Sequence, residues 1–166
     1  MEPNLEQHRN LYTLAAYLFD YKAPARKFDM GQYCIHAEHR TIILPMDAAE
    51  VFNECKTIAC AVGHGPMAGV PVPESLLLGY KKIMQWRGEK GFWCEYASRA
   101  FGVGNYDDPL AKRFFSAAWV NEDNSPKGAA QRILHFLEGK FSPSEDDCFR
   151  RNYEGIKLKP KEAYGL

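Results

Sequence analysis

Proline and glycine constrain this chain more than any other feature, because they fall where each helical or strand-like pattern stops. Pro24 and Pro45 interrupt such patterns, Pro109 and Pro126 stand where helices open, and Gly102 and Gly139 stand where they close. A proline inside a helix removes an N–H and clashes with the turn before it, but at the first helical position its fixed φ is already suitable. Glycine just past a helix takes the left-handed conformation that ends it. The chain is therefore expected to fold from short, separately capped pieces.

The first piece is N-L-E-Q-H-R-N-L-Y-T-L-A-A-Y-L-F-D. Asn4 precedes Gln7 by three residues, the spacing of a capping box, and Leu5, Leu11, Tyr12, Ala15, Leu18 and Phe19 recur at helical intervals. After Pro24, the β-branched run T-I-I-L-P at 41–45 reads as a strand bounded by Pro45. Asp47 and Glu50 repeat the capping-box spacing before A-E-V-F-N. The stretch E-C-K-T-I-A-C-A-V-G-H-G from Glu54 reads as a further small-residue helix ending near Gly63 or Gly65, and the proline-rich run to Pro73 as a loop.

P-E-S-L-L-L-G-Y-K-K-I-M-Q-W reads as a helix weakened at Gly79, and W-C-E-Y-A-S-R-A-F-G-V as a firmer one closed by Gly102. Asp108 with Pro109, and Ser125 with Pro126, supply two more helix starts. The expected fold is mainly α (α+β): a compact bundle of about six short helices, with at most a small β element near residues 41–45. Residues 1–141 are expected to form one globular domain, and the charged segment 142–166 a surface-wrapping or partly disordered tail.

Charge and composition exclude some functions. Lys plus Arg number 21, as do Asp plus Glu, so no overall basic field would hold a phosphate backbone non-specifically. No apolar run approaches the roughly 20 residues that span a bilayer, and M-E-P-N-L-E-Q-H-R is too polar for a signal peptide; a cytoplasmic location is the expectation. Five cysteines, an odd count, fit reduced thiols better than a complete disulfide framework.

Reduced thiols act as core packing, as ligands or as nucleophiles. Cys34, His36, His39, Cys55, Cys60 and His64 lie close in sequence, and thiolate with imidazole suits zinc. A nucleophilic cysteine needs a lowered pKa and a nearby base; Cys55 and Cys94 near expected helix starts, with His64, are the candidates for a transferase or hydrolase. The competing reading packs Cys60 as a small hydrophobe on a helix face. G-x-x-x-x-G-K-[ST], G-x-S-x-G and H-E-x-x-H do not occur.

Two features suit binding instead. In Y-K-K-I-M-Q-W-R, Lys81, Lys82 and Arg87 interleave with Tyr80 and Trp86, a pattern that can hold a nucleotide-like anion. In G-H-G-P-M-A-G, the backbone N–H groups around Gly63 and Gly65 could form an anion-binding nest.

F-D-M at 28–30, C-K-T-I-A-C-A-V-G-H at 55–64, W-C-E-Y-A-S-R-A-F-G-V, F-F near 114 and S-P-K-G-A-A-Q-R-I-L-H-F-L occur in that order. This order resembles a group of small, uncharacterised phage and bacterial proteins that carry C-G-T-x-A-C-x-x-G before a glycine-ended helix and a final capped helix. The likeness runs over roughly residues 5–140, and Lys56 stands where the group has glycine. It implies a phage or mobile-element setting and brings no activity or catalytic residue with it.

The leading expectation is a non-catalytic binding protein, assembled as a homo-oligomer and without cofactor. It would engage a host protein or sequester a small anionic ligand, with no membrane association. The rival is a zinc-bound or catalytic Cys/His site.

Overall fold

A computed structural model describes residues 3–30, 34–36, 38–52, 57–104, 111, 114, 124–140 and 155–166. The fold is mainly helical, with one two-stranded antiparallel sheet.

Helix α1, Leu5–Phe19, opens on the expected capping box. The Gln7 amide donates to Asn4 Oδ1 at 3.0 Å, and the Asn4 amide donates to Gln7 Oε1 at 2.8 Å. Two of the helix's otherwise unsatisfied amides are thereby paired. Leu11, Leu14, Ala15 and Leu18 form its buried face, and each buried leucine contributes roughly 2 kcal/mol of hydrophobic stabilisation. That face packs chiefly against the last long helix, Pro126–Leu137, called α5 below.

The two strands of the sheet flank α2, Pro45–Val51, in sequence. Strand β1, Cys34–His36, pairs antiparallel with β2, Thr57–Ala59, in the register Cys34↔Ala59, Ile35↔Ile58 and His36↔Thr57. Residues 41–43 lie along β1: Ile35 bridges Ile42, the His36 amide donates to Thr41 O at 2.9 Å, and Ile43 N donates to Cys34 O at 2.9 Å. The expected strand at 41–45 is thus replaced by one bridge at Ile42, and the sheet is formed by β1 and β2 instead, because Leu44 and Pro45 already open α2. Where a helix was expected after Glu54, residues 57–59 are β2, followed by a short 3₁₀ turn at Val62–His64. β-branched Thr57 and Ile58 favour the extended backbone, and β1 supplies the partner edge. Helix α2 likewise starts earlier than expected, with Leu44 as N-cap and Pro45 at the first helical position.

Helix α3, Glu74–Leu78, turns at Gly79 into α4, Tyr80–Phe101. Gly88 breaks α4 with φ 61° and ψ −167°, a backbone conformation that side-chain-bearing residues rarely adopt. The two helices expected on either side of this point are therefore both present, meeting in a kink at Gly88 within the Tyr80–Phe101 span. Its second half carries Phe92, Trp93, Tyr96 and Phe101 into the core. Trp93 Nε1 donates to Ile43 O at 2.9 Å and ties α4 to the sheet edge.

Gly102 closes α4 as expected, and two constraints require glycine there. Its φ is +70°, and a Cβ would stand 2.8 Å from Gln7 Oε1 and 2.9 Å from Pro3 Cα. The crowding arises because α1 caps α4. Gln7 Nε2 donates to the carbonyls of Ser98 and Arg99, each at 3.2 Å, and Asn10 Nδ2 to that of Ala100 at 2.8 Å.

Helix α5 opens with Ser125 accepting from the Gly128 amide at 3.2 Å, has Pro126 in its first turn, and is followed by Gly139 at φ +70°. Of the helix expected to begin at Asp108, only Ala111 and Phe114 fall among the described residues, and Phe114 is fully buried. Residues 155–166 run back over α1 and α5. Tyr12 Oη donates to Lys159 O at 3.0 Å, Gln131 Nε2 to Ile156 O at 3.2 Å, and Lys159 pairs with Glu138.

Candidate functional site

Hydrophobic side chains usually turn inward, so a large apolar group left outside a helix is informative when it has apolar neighbours. The α3–α4 corner has several. In L-L-L at 76–78, the short helix buries Leu76 completely, which leaves Leu77 44% and Leu78 82% exposed. Beyond Gly79, Trp86 is 79% exposed. Leu78, Lys82 and Trp86 are spaced by four residues, so past the Gly79 turn the ammonium and the indole share one stripe of α4, with exposed Lys81 beside it.

The other two candidates on this corner are anchored. The Tyr80 ring meets buried Phe92 edge-on, with centroids 5.6 Å apart. Arg87 reaches across the Gly88 break to Glu95 at 3.0 Å, and Glu95 also holds Arg99 at 3.3 Å. The corner therefore presents leucine, tryptophan and lysine outward, while the arginine serves an ion pair along its own helix.

His64 occupies the opposite environment. It is fully buried, ringed by Tyr17, Tyr21, Phe28 and Phe52 with centroids 5.0–5.9 Å from its own. The Cys60 carbonyl, 2.7 Å from Nδ1, can only accept, so Nδ1 carries the proton and Nε2 accepts from Tyr21 Oη at 3.0 Å. Burial lowers the His64 pKa to about 4; the Cys60 carbonyl opposes that shift and Lys27 adds to it. Lys27 is itself buried, donating to Phe52 O at 2.6 Å with its Nζ 4.5 Å from the Phe52 ring centroid.

The cysteines near this cluster are core residues. Cys34 and Cys60 are both buried, and burial pushes each thiol up to about 12. The Gly63 and Val62 amides point at Cys60 and pull its thiol back only in part. Thiols in that range are protonated at neutral pH, and the thiolate is the nucleophilic form. Cys55 lies outside the described residues. Cys94 stands within α4 rather than at a helix start, and His135 is buried in α5.

The glycine turn is closed in the same way. Gly65 N donates to Val62 O, Ala68 N to His64 O, Gly69 N to Pro66 O and Val70 N to Gly65 O, at 2.9–3.1 Å. A Cβ on Gly65 would meet Tyr96 Oη at 2.5 Å, so this glycine permits close packing. An anion at Gly63 or Gly65 would compete with bonds the turn already makes.

Of the six residues expected as metal ligands, the structure separates His36 and His39 from the buried Cys34, Cys60 and His64. It adds Glu38, which sequence spacing did not single out. His36, Glu38 and His39 sit on the reversal after β1, with one potential ligand atom from each within 4.8 Å of the others.

No family model matches the chain, and neither a curated protein nor a solved structure matches it. Among the described residues, no helix is long and apolar enough to cross a membrane.

Proposed function

We propose that this protein is a non-catalytic binding protein whose α3–α4 corner docks a protein partner with an acidic, partly apolar surface. The observation that carries this reading is the exposure of Leu78 at 82% and Trp86 at 79% beside two outward lysines. Tryptophan is over-represented among the few residues that dominate interface energy, and surrounding charge selects the partner and speeds encounter. The state of the buried pair supports the same reading. Cys60 and His64 are both buried, and with the Cys60 thiol near 12 no thiolate nucleophile is present there at neutral pH.

The setting of a phage or mobile element, which makes the partner a host protein, rests on the resemblance of C-K-T-I-A-C-A-V-G alone.

The test places a photo-crosslinking residue, Trp86→p-benzoylphenylalanine, in the protein inside the cell that expresses it. The expected result is a discrete protein adduct that disappears when Leu78→Ala and Lys82→Glu are added. The proposal fails if the yield merely equals that from the same probe at exposed Glu162, or if the adduct survives both added changes. A nucleotide-sized adduct in native mass spectrometry, lost in Trp86→Ala, would instead replace the protein partner with a small anion.

A further inference from the structure

The tight reversal that follows β1 brings two imidazoles and a carboxylate together on the protein's surface. The His36 carbonyl accepts from Arg40 N at 2.8 Å and the His36 amide donates to Thr41 O at 2.9 Å, so the chain has reversed by Thr41. Arg40 completes the turn at φ +52°, the left-handed region, where a side-chain-bearing residue is held at a cost of roughly 1–2 kcal/mol. The result lays the His39 ring on the His36 ring, with centroids 4.9 Å apart and planes 16° from parallel. One nitrogen from each ring and a Glu38 oxygen lie within 4.8 Å of one another. His36 Nδ1 is buried and has no hydrogen-bond partner among the described residues.

An unpaired buried imidazole nitrogen is costly, and its lone pair is used either by a hydrogen-bond donor or by a metal ion. We propose that His36, Glu38 and His39 bind a divalent transition ion of the zinc class. Two imidazoles and one carboxylate form a set that such ions accept, and three protein ligands leave a coordination position for water or an external donor. At Zn–N lengths of about 2.0–2.1 Å, tetrahedral geometry spaces ligand atoms roughly 3.3 Å apart. The present spread of up to 4.8 Å must therefore contract by roughly 1.5 Å. The stacked rings must also tilt so that their in-plane lone pairs converge. Glu38 and His39, the two members that would move, are exposed. Cys34, Cys60 and His64 are buried and lie outside this group of ligand atoms.

Cobalt(II) titration of the full-length protein, read by its visible d–d bands and by calorimetry and followed by displacement with zinc, tests the site. One ion per chain should bind. Affinity should fall at least about tenfold, equal to roughly 1.4 kcal/mol, in His39→Ala and in Glu38→Gln, both at exposed positions. Cys60→Ser should leave it unchanged. The proposal is overturned if the unaltered protein gives neither bands nor heat, or if His39→Ala binds as tightly as the unaltered protein. Loss of the ion in Cys60→Ser with retention in His39→Ala would also overturn it, by assigning the ion to the thiols.

Discussion

The surroundings of His64 and the α3–α4 corner each reverse the usual distribution of side chains. At His64 a polar ring lies inside; at Leu78 and Trp86 large apolar groups lie outside. The interior exception is closed, since both imidazole nitrogens have partners within the chain and four aromatic rings fill the space around them. The exterior exception is open, since nothing in α3 or α4 covers Leu78 or Trp86. Satisfied polarity inside is a stability device, whereas unsatisfied apolarity outside points to something beyond the fold.

The comparison breaks most severely if His64 proves dispensable. His64→Ala should destabilise the protein by about 3 kcal/mol, because it leaves a cavity and strands the Tyr21 hydroxyl, while the Cys60 carbonyl keeps the backbone amide of residue 64. Urea denaturation at neutral pH measures this; a change under 1 kcal/mol would mean the cluster is not closed.

Acid should expose the same residue. The folded-state pKa of about 4 lies below the ordinary 6.5, so as pH falls the unfolded chain takes up the proton first. Stability should decline by roughly 3 kcal/mol between pH 6.5 and pH 4 from this group and level off below, while above pH 6.5 it contributes no slope. Among the described residues, Tyr17, Tyr21, Lys27 and Cys60 are titratable groups beside it, with Asp29 acting on Cys60, and none of the shifts given for Tyr17, Tyr21 or Cys60 moves a pKa into that window. His64→Phe should flatten this part of the pH–stability curve, and an unchanged slope would assign it elsewhere.

A finer probe is Tyr21→Phe, which keeps the ring and removes the donor to Nε2. It should cost about 1 kcal/mol and raise the His64 pKa little, since burial is the dominant cause of its depression. Thermal unfolding together with imidazole NMR shifts separates the two effects.

Local chemistry was legible at several helix ends but not at all of them, since the capping-box spacing of Asp47 and Glu50 is overridden by Pro45, which opens α2 two residues earlier. Asn4 with Gln7, Ser125 with Pro126, and Gly102 and Gly139 specify helix ends through bonds to atoms a few residues away, and the structure contains all of them. Thr57–Ala59 was misread because small residues in C-K-T-I-A-C-A fit a helix face equally well, and what selects a strand there is β1, more than twenty positions away. The Tyr21–His64 bond is hidden for the same reason. Trp86 and its lysines were visible as a pattern, but whether the indole faced in or out depended on how the Gly88 break directed Phe92 and Trp93 inward. Glu38 was passed over because H-A-E-H has no helical ligand spacing; the reversal at Arg40 is what folds it over His36.

The central claim is that Leu78 and Trp86 serve a partner and not the fold. The most direct test is the double variant Leu78→Ala/Trp86→Ala, with unfolding free energy and cross-linking to the partner from a neighbouring exposed position, Gln85, measured on the same protein. The account predicts stability within about 0.5 kcal/mol of the parent, as for surface substitutions generally, together with loss of the adduct. A drop of 2 kcal/mol or more, or an adduct that persists at parental yield, would contradict it.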